Sequence, residues 1–125
     1  MDARDLLTTL AAAASRGDLG EIEERGHNDR LTESFRRMLS AFPDVKIAPE
    51  WVLLEGQRAV GWARITGTHA GAWRGFAATG RTIDVHGMLA LQIAEDGAVE
   101  DFWLVNDWLG IAAQLGVRLE SPTGA

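Results

Sequence analysis

The sequence predicts an α+β fold in which helices cover one face of a curved antiparallel sheet. Two observations carry that prediction. Apolar residues recur at helical spacing through the first third of the chain and at strand spacing from Val45 onward. The helical segments come first and the strands follow as a run, which is the pattern of segregated layers rather than of alternating βαβ units. A chain of 125 residues suits one domain with one sizeable core, so residues 1–125 are read as a single unit.

Leu6, Leu7, Leu10, Ala11 and Ala14 form the apolar stripe of a first helix, closed by Gly17. Asp18 is placed to cap a short second helix, LGEIEER, which ends at Gly26. Asn28 or Asp29 can cap a third, with Leu31, Phe35, Met38, Leu39 and Phe42 on one face and Pro43 as its stop. VKIAPEWVLLEG reads as extended, and RAVGWARITGTH, Arg58 to His69, alternates as a strand. GAWRGFAATGR is a glycine-rich loop. TIDVHGMLALQIA and AVEDFWLVN are strands joined at Glu95-Asp96-Gly97, where Asp-Gly is a strong hairpin signal. WLGIAAQL is a closing helix with Gly116 just past its end, and the tail LESPTGA is expected to fray.

Composition excludes several classes of function. The formal net charge is −6 with no Lys/Arg cluster to offset it, which argues against nucleic acid as a partner. Cys is absent, so disulfides, thiolate nucleophiles and Cys-ligated metals are excluded together. Tyr is absent too, so no phenol can act as acid or donor. The three His show neither H-x-H nor H-x-x-x-H spacing, so no metal site is expected. The amino-terminal stretch MDARDLLTTLAAAASRGD lacks the pattern of a signal peptide, and no window reaches membrane-spanning length. A cytoplasmic protein that does not engage membranes is the expectation.

AFPDVKI, then GTHAGAWRGFAATGR, then EDGAVEDFWLVNDWLGIAAQLG resembles the SnoaL-like polyketide cyclases, of the nuclear-transport-factor-2-like α+β barrel superfamily. The likeness covers residues 40–116. It implies a cone: helices roofing a bent sheet around an apolar pocket for a polyketide-like or cyclic hydrophobic molecule. It implies aldol cyclisation or proton-transfer isomerisation without metal or cofactor, performed by an aspartate with a histidine on the neighbouring strand. Some relatives are linked to hydroxylation instead. The likeness puts the family's aspartate on Leu104 and its histidine on Leu89, and the segment before AFPD is short. Those departures imply the alternative of a diverged member, hydroxylating or only binding a hydrophobic ligand or partner. The outer sheet face often packs on a second subunit in this family, which implies a homodimer through Trp103, Met88 and Val105.

Hairpin geometry gives an independent check. With Asp96-Gly97 as a two-residue turn, Leu89 lies opposite Leu104 and His86 opposite Asp107. Val85, Gly87, Leu89, Leu91 and Ile93 then share one face with Glu100, Phe102, Leu104 and Asn106. Asp84, His86, Met88, Ala90 and Gln92 share the other with Asp101, Trp103, Val105 and Asp107. The first face is the more apolar and is expected to meet the helices. Leu89, Leu91, Phe102, Leu104 and Asn106 are therefore candidate substrate-binding residues. Trp62 and Arg64, which share one face of their own strand, complete the set as an aromatic wall and a charge that holds a substrate oxygen.

Two candidates read both ways. Asp107 stands immediately before a helical segment, where an Asp caps backbone N–H groups. It is also a candidate general base. His86 across from it would orient or protonate, or would be a cross-strand polar pair at an interface. His69 in GTHAG is expected to fix the loop, and His27 to be solvated. The glycines of GTHAGAWRG follow no strand-to-helix transition, which rules out a phosphate loop.

Overall fold

The computed structural model describes residues 1–118; the tail LESPTGA lies outside them. The elements run α1 (Ala3–Ser15), α2 (Leu19–Gly26), α3 (Asp29–Ala41), β1 (Lys46–Glu55), β2 (Arg58–Thr68), β3 (Thr82–Ile93), β4 (Val99–Asn106) and α4 (Trp108–Leu115). The strands form one antiparallel meander in the order β1-β2-β3-β4. The α+β architecture expected from the sequence is present.

The helix boundaries have local chemical causes. Asp2, Asp18 and Asn28 each accept a backbone N–H three residues on, at 2.8, 3.0 and 3.0 Å, and so start α1, α2 and α3. His27 ends α2 in the left-handed conformation at φ 47°, a rare position for a non-glycine residue. Asn28 also donates to the Val99 carbonyl at 2.9 Å, which ties the start of α3 to β4.

Two apolar clusters lie on the inner face. One joins Leu6, Leu10, Ile22, Leu31 and Phe35 of the helices to Ala59, Leu91, Ile93, Val99 and Phe102 of the sheet. The other joins Ala41, Phe42 and Val45 to Ile65, Ile83, Val85 and to Ile111 and Leu115 of α4. Leu91 and Phe102 pair across β3 and β4 within the first.

The β3–β4 hairpin corrects one expectation and preserves another. The connection is not a two-residue turn. Gly97 closes a turn on the Ala94 carbonyl with φ 88°, Ala94 N–H bonds the Ala98 carbonyl, and Ile93 pairs with Val99. Glu100 is then the extra residue of a bulge, and the register from Gln92–Asp101 to Gly87–Asn106 returns to the expected one. Two one-residue offsets cancel. The difference falls on Glu100, expected inward, which is exposed, while Val99 is buried in its place.

The loop between β2 and β3 is held at both ends. Asp44 accepts the Thr68 backbone N–H and hydroxyl, each at 2.7 Å, and these bonds hold its carboxyl below the ordinary 3.8. A depressed folded value means the contribution is present above the unfolded carboxylate pKa and lost as pH falls through the folded one. The stability difference between wild type and Asp44→Ala is therefore expected to shrink from about pH 5 to about pH 2. Urea melts of both proteins across that range check it; a difference independent of pH would remove Asp44 as an anchor.

Candidate functional site

The cavity on the inner face draws walls from both clusters. Leu7 and Ala11 of α1 and Phe35 and Met38 of α3 face Gly61, Ala63 and Ile65 of β2 and Gly87, Leu89 and Leu104 of β3 and β4. Its volume is about 30 Å³, room for about one water molecule. Small residues make that space. A Cβ on Gly61 would lie 2.7 Å from Leu7 Cδ2, and one on Gly87 would lie 2.5 Å from Asn106 Oδ1. Among the described residues Asn106 is the only polar side chain in the lining, and no titratable side chain contributes.

The candidate residues fall into separate places. Leu89, Leu104 and Asn106 line the cavity, and Leu89 pairs directly with Leu104. Leu91 and Phe102 share that face but are spent in the core, where Arg30 lies 5.3 Å from the Phe102 ring. Trp62, Arg64 and His86 stand on the opposite, outer face of the sheet, which the helices do not cover. The helices and strands that build the missed part of the wall are α1, α3 and β2. Their signal in the sequence was the small residues Gly61 and Ala63 at inner positions of an otherwise bulky strand.

Asp107 and His86 are not brought together as a cross-strand pair. β4 ends at Asn106, and Asp107 turns away as the N-cap of α4. Its Oδ1 accepts the Gly110 N–H at 2.8 Å, the side chain is exposed, and it does not line the cavity. His86 instead pairs with Arg64 across β2–β3, and its Nε2 meets the Glu50 carboxylate. Glu50 is the extra residue at a β1 bulge between Pro49 and Trp51.

The outer face is a layered surface. Trp51 stacks on Trp62 at 6.4 Å between centroids, and Trp62 on His86 at 5.1 Å. Arg64 Nε donates to Asp84 Oδ1 at 2.8 Å, and a second guanidinium nitrogen meets Oδ2. The Arg64 guanidinium holds the Asp84 carboxyl below its usual range, and Asp84 in turn raises Arg64. Both side chains are more than half exposed, so the pair contributes little to stability. His69 is fully buried. Its Nδ1 accepts the Thr79 N–H at 3.1 Å, which fixes the loop, and its Nε2 has no partner among the described residues. Among the described residues no group of three or more His, Asp or Glu is placed to hold a metal, and no helix is long and apolar enough to cross a membrane.

With this geometry in hand, comparison with known proteins assigns the class. The chain belongs to the SnoaL-like polyketide cyclase family, whose profile matches residues 18–115. Among solved structures it is similar to AclR, a candidate hydroxylase from Streptomyces galilaeus, at 24% identity over 91% of this chain and 95% of that one, with a TM-score of 0.79. It is similar to TsrD from Streptomyces laurentii at 26% identity, over 91% and 94% of the two chains, with a TM-score of 0.78. It is also similar to IdmH, a candidate polyketide cyclase from Streptomyces antibioticus, at 21% identity over 94% and 100%, with a TM-score of 0.74. No curated protein sequence matches this one.

The cap assigned to Asp107 separates two outcomes. Asp107→Asn keeps the cap, whereas Asp107→Ala is expected to cost about 1 kcal/mol. If cap is the whole duty, Asp107→Asn leaves both stability and any turnover unchanged. A loss of about 10²-fold or more in rate with stability intact would restore Asp107 as a base.

Proposed function

We propose that this is a diverged SnoaL-like protein that binds a cyclic, polyketide-like hydrophobic molecule on the inner face of its sheet, without cofactor and in the cytoplasm. One observation carries the reading. The cavity is apolar and lacks any acid or base, and Leu89 and Leu104, which the family resemblance matches to a histidine and an aspartate, are cross-strand partners in its wall. Among the described residues no group in the lining is placed to abstract a proton. Binding, or chemistry that needs no protein base, fits the site better than aldol cyclisation. Leu91 and Phe102 then act behind the wall as its support.

A second reading has its own observation. On the outer face His86 carries an acceptor, Glu50, in contact with its Nε2, with Arg64 as its neighbour on β2. A carboxylate–imidazole pair is the arrangement of a general base with its orienting acid, and the Arg64–Asp84 ion pair borders it. Ala48, Pro49, Glu50, Arg64, Asp84 and His86 line an open groove there, with Trp62 stacked beneath the imidazole. Proton-transfer isomerisation of a bound enolisable substrate would belong to this groove. His86→Gln separates the readings: it abolishes turnover in the second and leaves inner-face binding unchanged in the first.

A cavity of about 30 Å³ admits no polycyclic ligand until side chains move, since drug-sized pockets run to roughly 300–1,000 Å³. Leu7 is the side chain positioned to yield. Leu7→Ala is expected to lower unfolding free energy by about 2–5 kcal/mol and to enlarge the cavity. Tryptophan-quenching titrations with tetracyclic polyketides should saturate, and more tightly for Leu7→Ala, with binding recovering part of the lost stability. No saturable quenching by either protein would end the ligand reading.

The outer face supports a homodimer. Leu53, Val60, Ala90 and Trp103 lie in one row across all four strands, and Trp51, Trp62, Met88 and Val105 in the next. Leu53 is 65% exposed, Trp103 50% and Val105 62%, an apolar patch too continuous for an isolated surface. A second copy covers it in this reading. Trp103→Glu is expected to give a monomer by light scattering at micromolar concentration, where the wild type is dimeric. A monomeric wild type would refute the assignment.

A further inference from the structure

The amide of Asn106 is the feature that the packing leaves unexplained. Its Oδ1 is sealed from solvent and has no hydrogen-bond partner among the described residues. Asn106 pairs with Gly87, and the oxygen sits where a Gly87 side chain would begin, 2.5 Å from the position of a Cβ. Ile65 Cδ1 closes the same position from β2, at 2.7 Å. A polar group pressed into an apolar wall without a partner lowers stability, and a leucine would fill the site without that penalty. The neighbouring inner position on β4 is in fact a leucine, Leu104.

We infer that Asn106 is the positioning residue for an oxygen on the ligand: a flat apolar ring lies against Leu89 and Leu104, and its hydroxyl or carbonyl oxygen bonds the Asn106 amide. The inference rests on the inner-face binding reading above and adds the chemical class of what binds. An amide serves either oxygen, since its NH₂ donates to a carbonyl and its oxygen accepts from a hydroxyl. With no charge in the wall, an ionised ligand group would enter unpaired, so carboxylates and ammonium groups are excluded at this end. The ring oxygen is the only polar atom the site can satisfy. Without it the buried amide stays unpaired, which is how a site built for a hydroxyl rejects the analogue that lacks one.

Phenol and toluene test this, because they differ by a hydroxyl in place of a methyl. Amide chemical-shift titrations of the full chain, wild type and Asn106→Leu, give the four affinities. Wild type is expected to bind phenol about tenfold more tightly than toluene, the worth of one buried hydrogen bond. Asn106→Leu is expected to reverse that order and keep toluene binding. Its melting temperature should hold or rise, which a structural asparagine would not allow. Equal affinities in wild type, or a phenol preference that survives in Asn106→Leu, overturn the role of Asn106 and leave the pocket standing. Failure of wild type to bind either compound overturns the pocket reading and this inference together. Should Asn106→Leu fold poorly, Asn106 is structural and the inference falls; the wild-type preference is read independently of it.

Discussion

The contact of Leu7 with the backbone of Gly61 sets the distance between the helical layer and the sheet. A side chain at position 61 would collide with Leu7, so the glycine lets α1 settle directly on β2. That close approach buries Leu6, Leu7 and Leu10 and brings Ala3 and Ala13 fully into the core. It also determines how much space is left beneath. The pocket of this fold is what remains between α1, α3 and the small residues of β2 and β3. Stability and pocket volume draw on the same few ångströms. A chain with Leu7 seated as it is here has placed its weight on packing.

The same alternation that builds the inner face determines the outer one. Every residue turned away from Leu7 on β2 and β3 must face solvent or a partner, and the apolar ones there are Val60, Trp62, Met88 and Ala90. Charged residues flank these rows at both ends, Glu55, Arg58 and Asp101 beyond Val60 and Glu50, Arg64 and Asp84 beyond Trp62. Glu50 reaches His86 only because the β1 bulge adds a residue, which reorients the strand locally and turns the Glu50 carboxylate toward β3. Arg64 and Asp84 satisfy each other beside it. These exposed pairs contribute little energy, yet they bound the apolar rows and give the face a polar edge.

Much of this was legible in the sequence because it is local. The caps at Asp18, Asn28 and Asp107 and the stop after Ala41 follow from short-range hydrogen bonding. The stripe of α3 and the alternation of β2 to β4 follow from period. The pairing of Leu89 with Leu104 was legible too, although through a turn of the wrong length whose error the Glu100 bulge removed. What was not legible depends on how layers dock. Trp62 and Arg64 were expected at the ligand because aromatic walls suit flat molecules, but face assignment on β2 needs its pairing with β3, and no turn signal specifies that across a long loop. The contribution of Leu7, Ala11, Phe35 and Met38 to the cavity needs the helix positions. Pro49 marks β1 as an edge or bulged strand but does not say where the Glu50 carboxylate turns, so the partner of His86 could not be read.

The motif D-x-x-G at the start of α4 is a helix cap built from two residues. Asp107 caps the helix through the Gly110 N–H. A Cβ on Gly110 would overlap the Asp107 carboxylate itself, so the glycine is what allows the side chain to fold back over the first turn. The two residues are one device, an acceptor and the space for it. The cap also places the carboxylate at the positive end of the helix dipole. A carboxylate held this way stays outside the cavity wall that its neighbour Asn106 enters. The adjacent residues thus divide the work: the acid at 107 ends the sheet and starts the helix, and the uncharged amide at 106 is the group left facing inward.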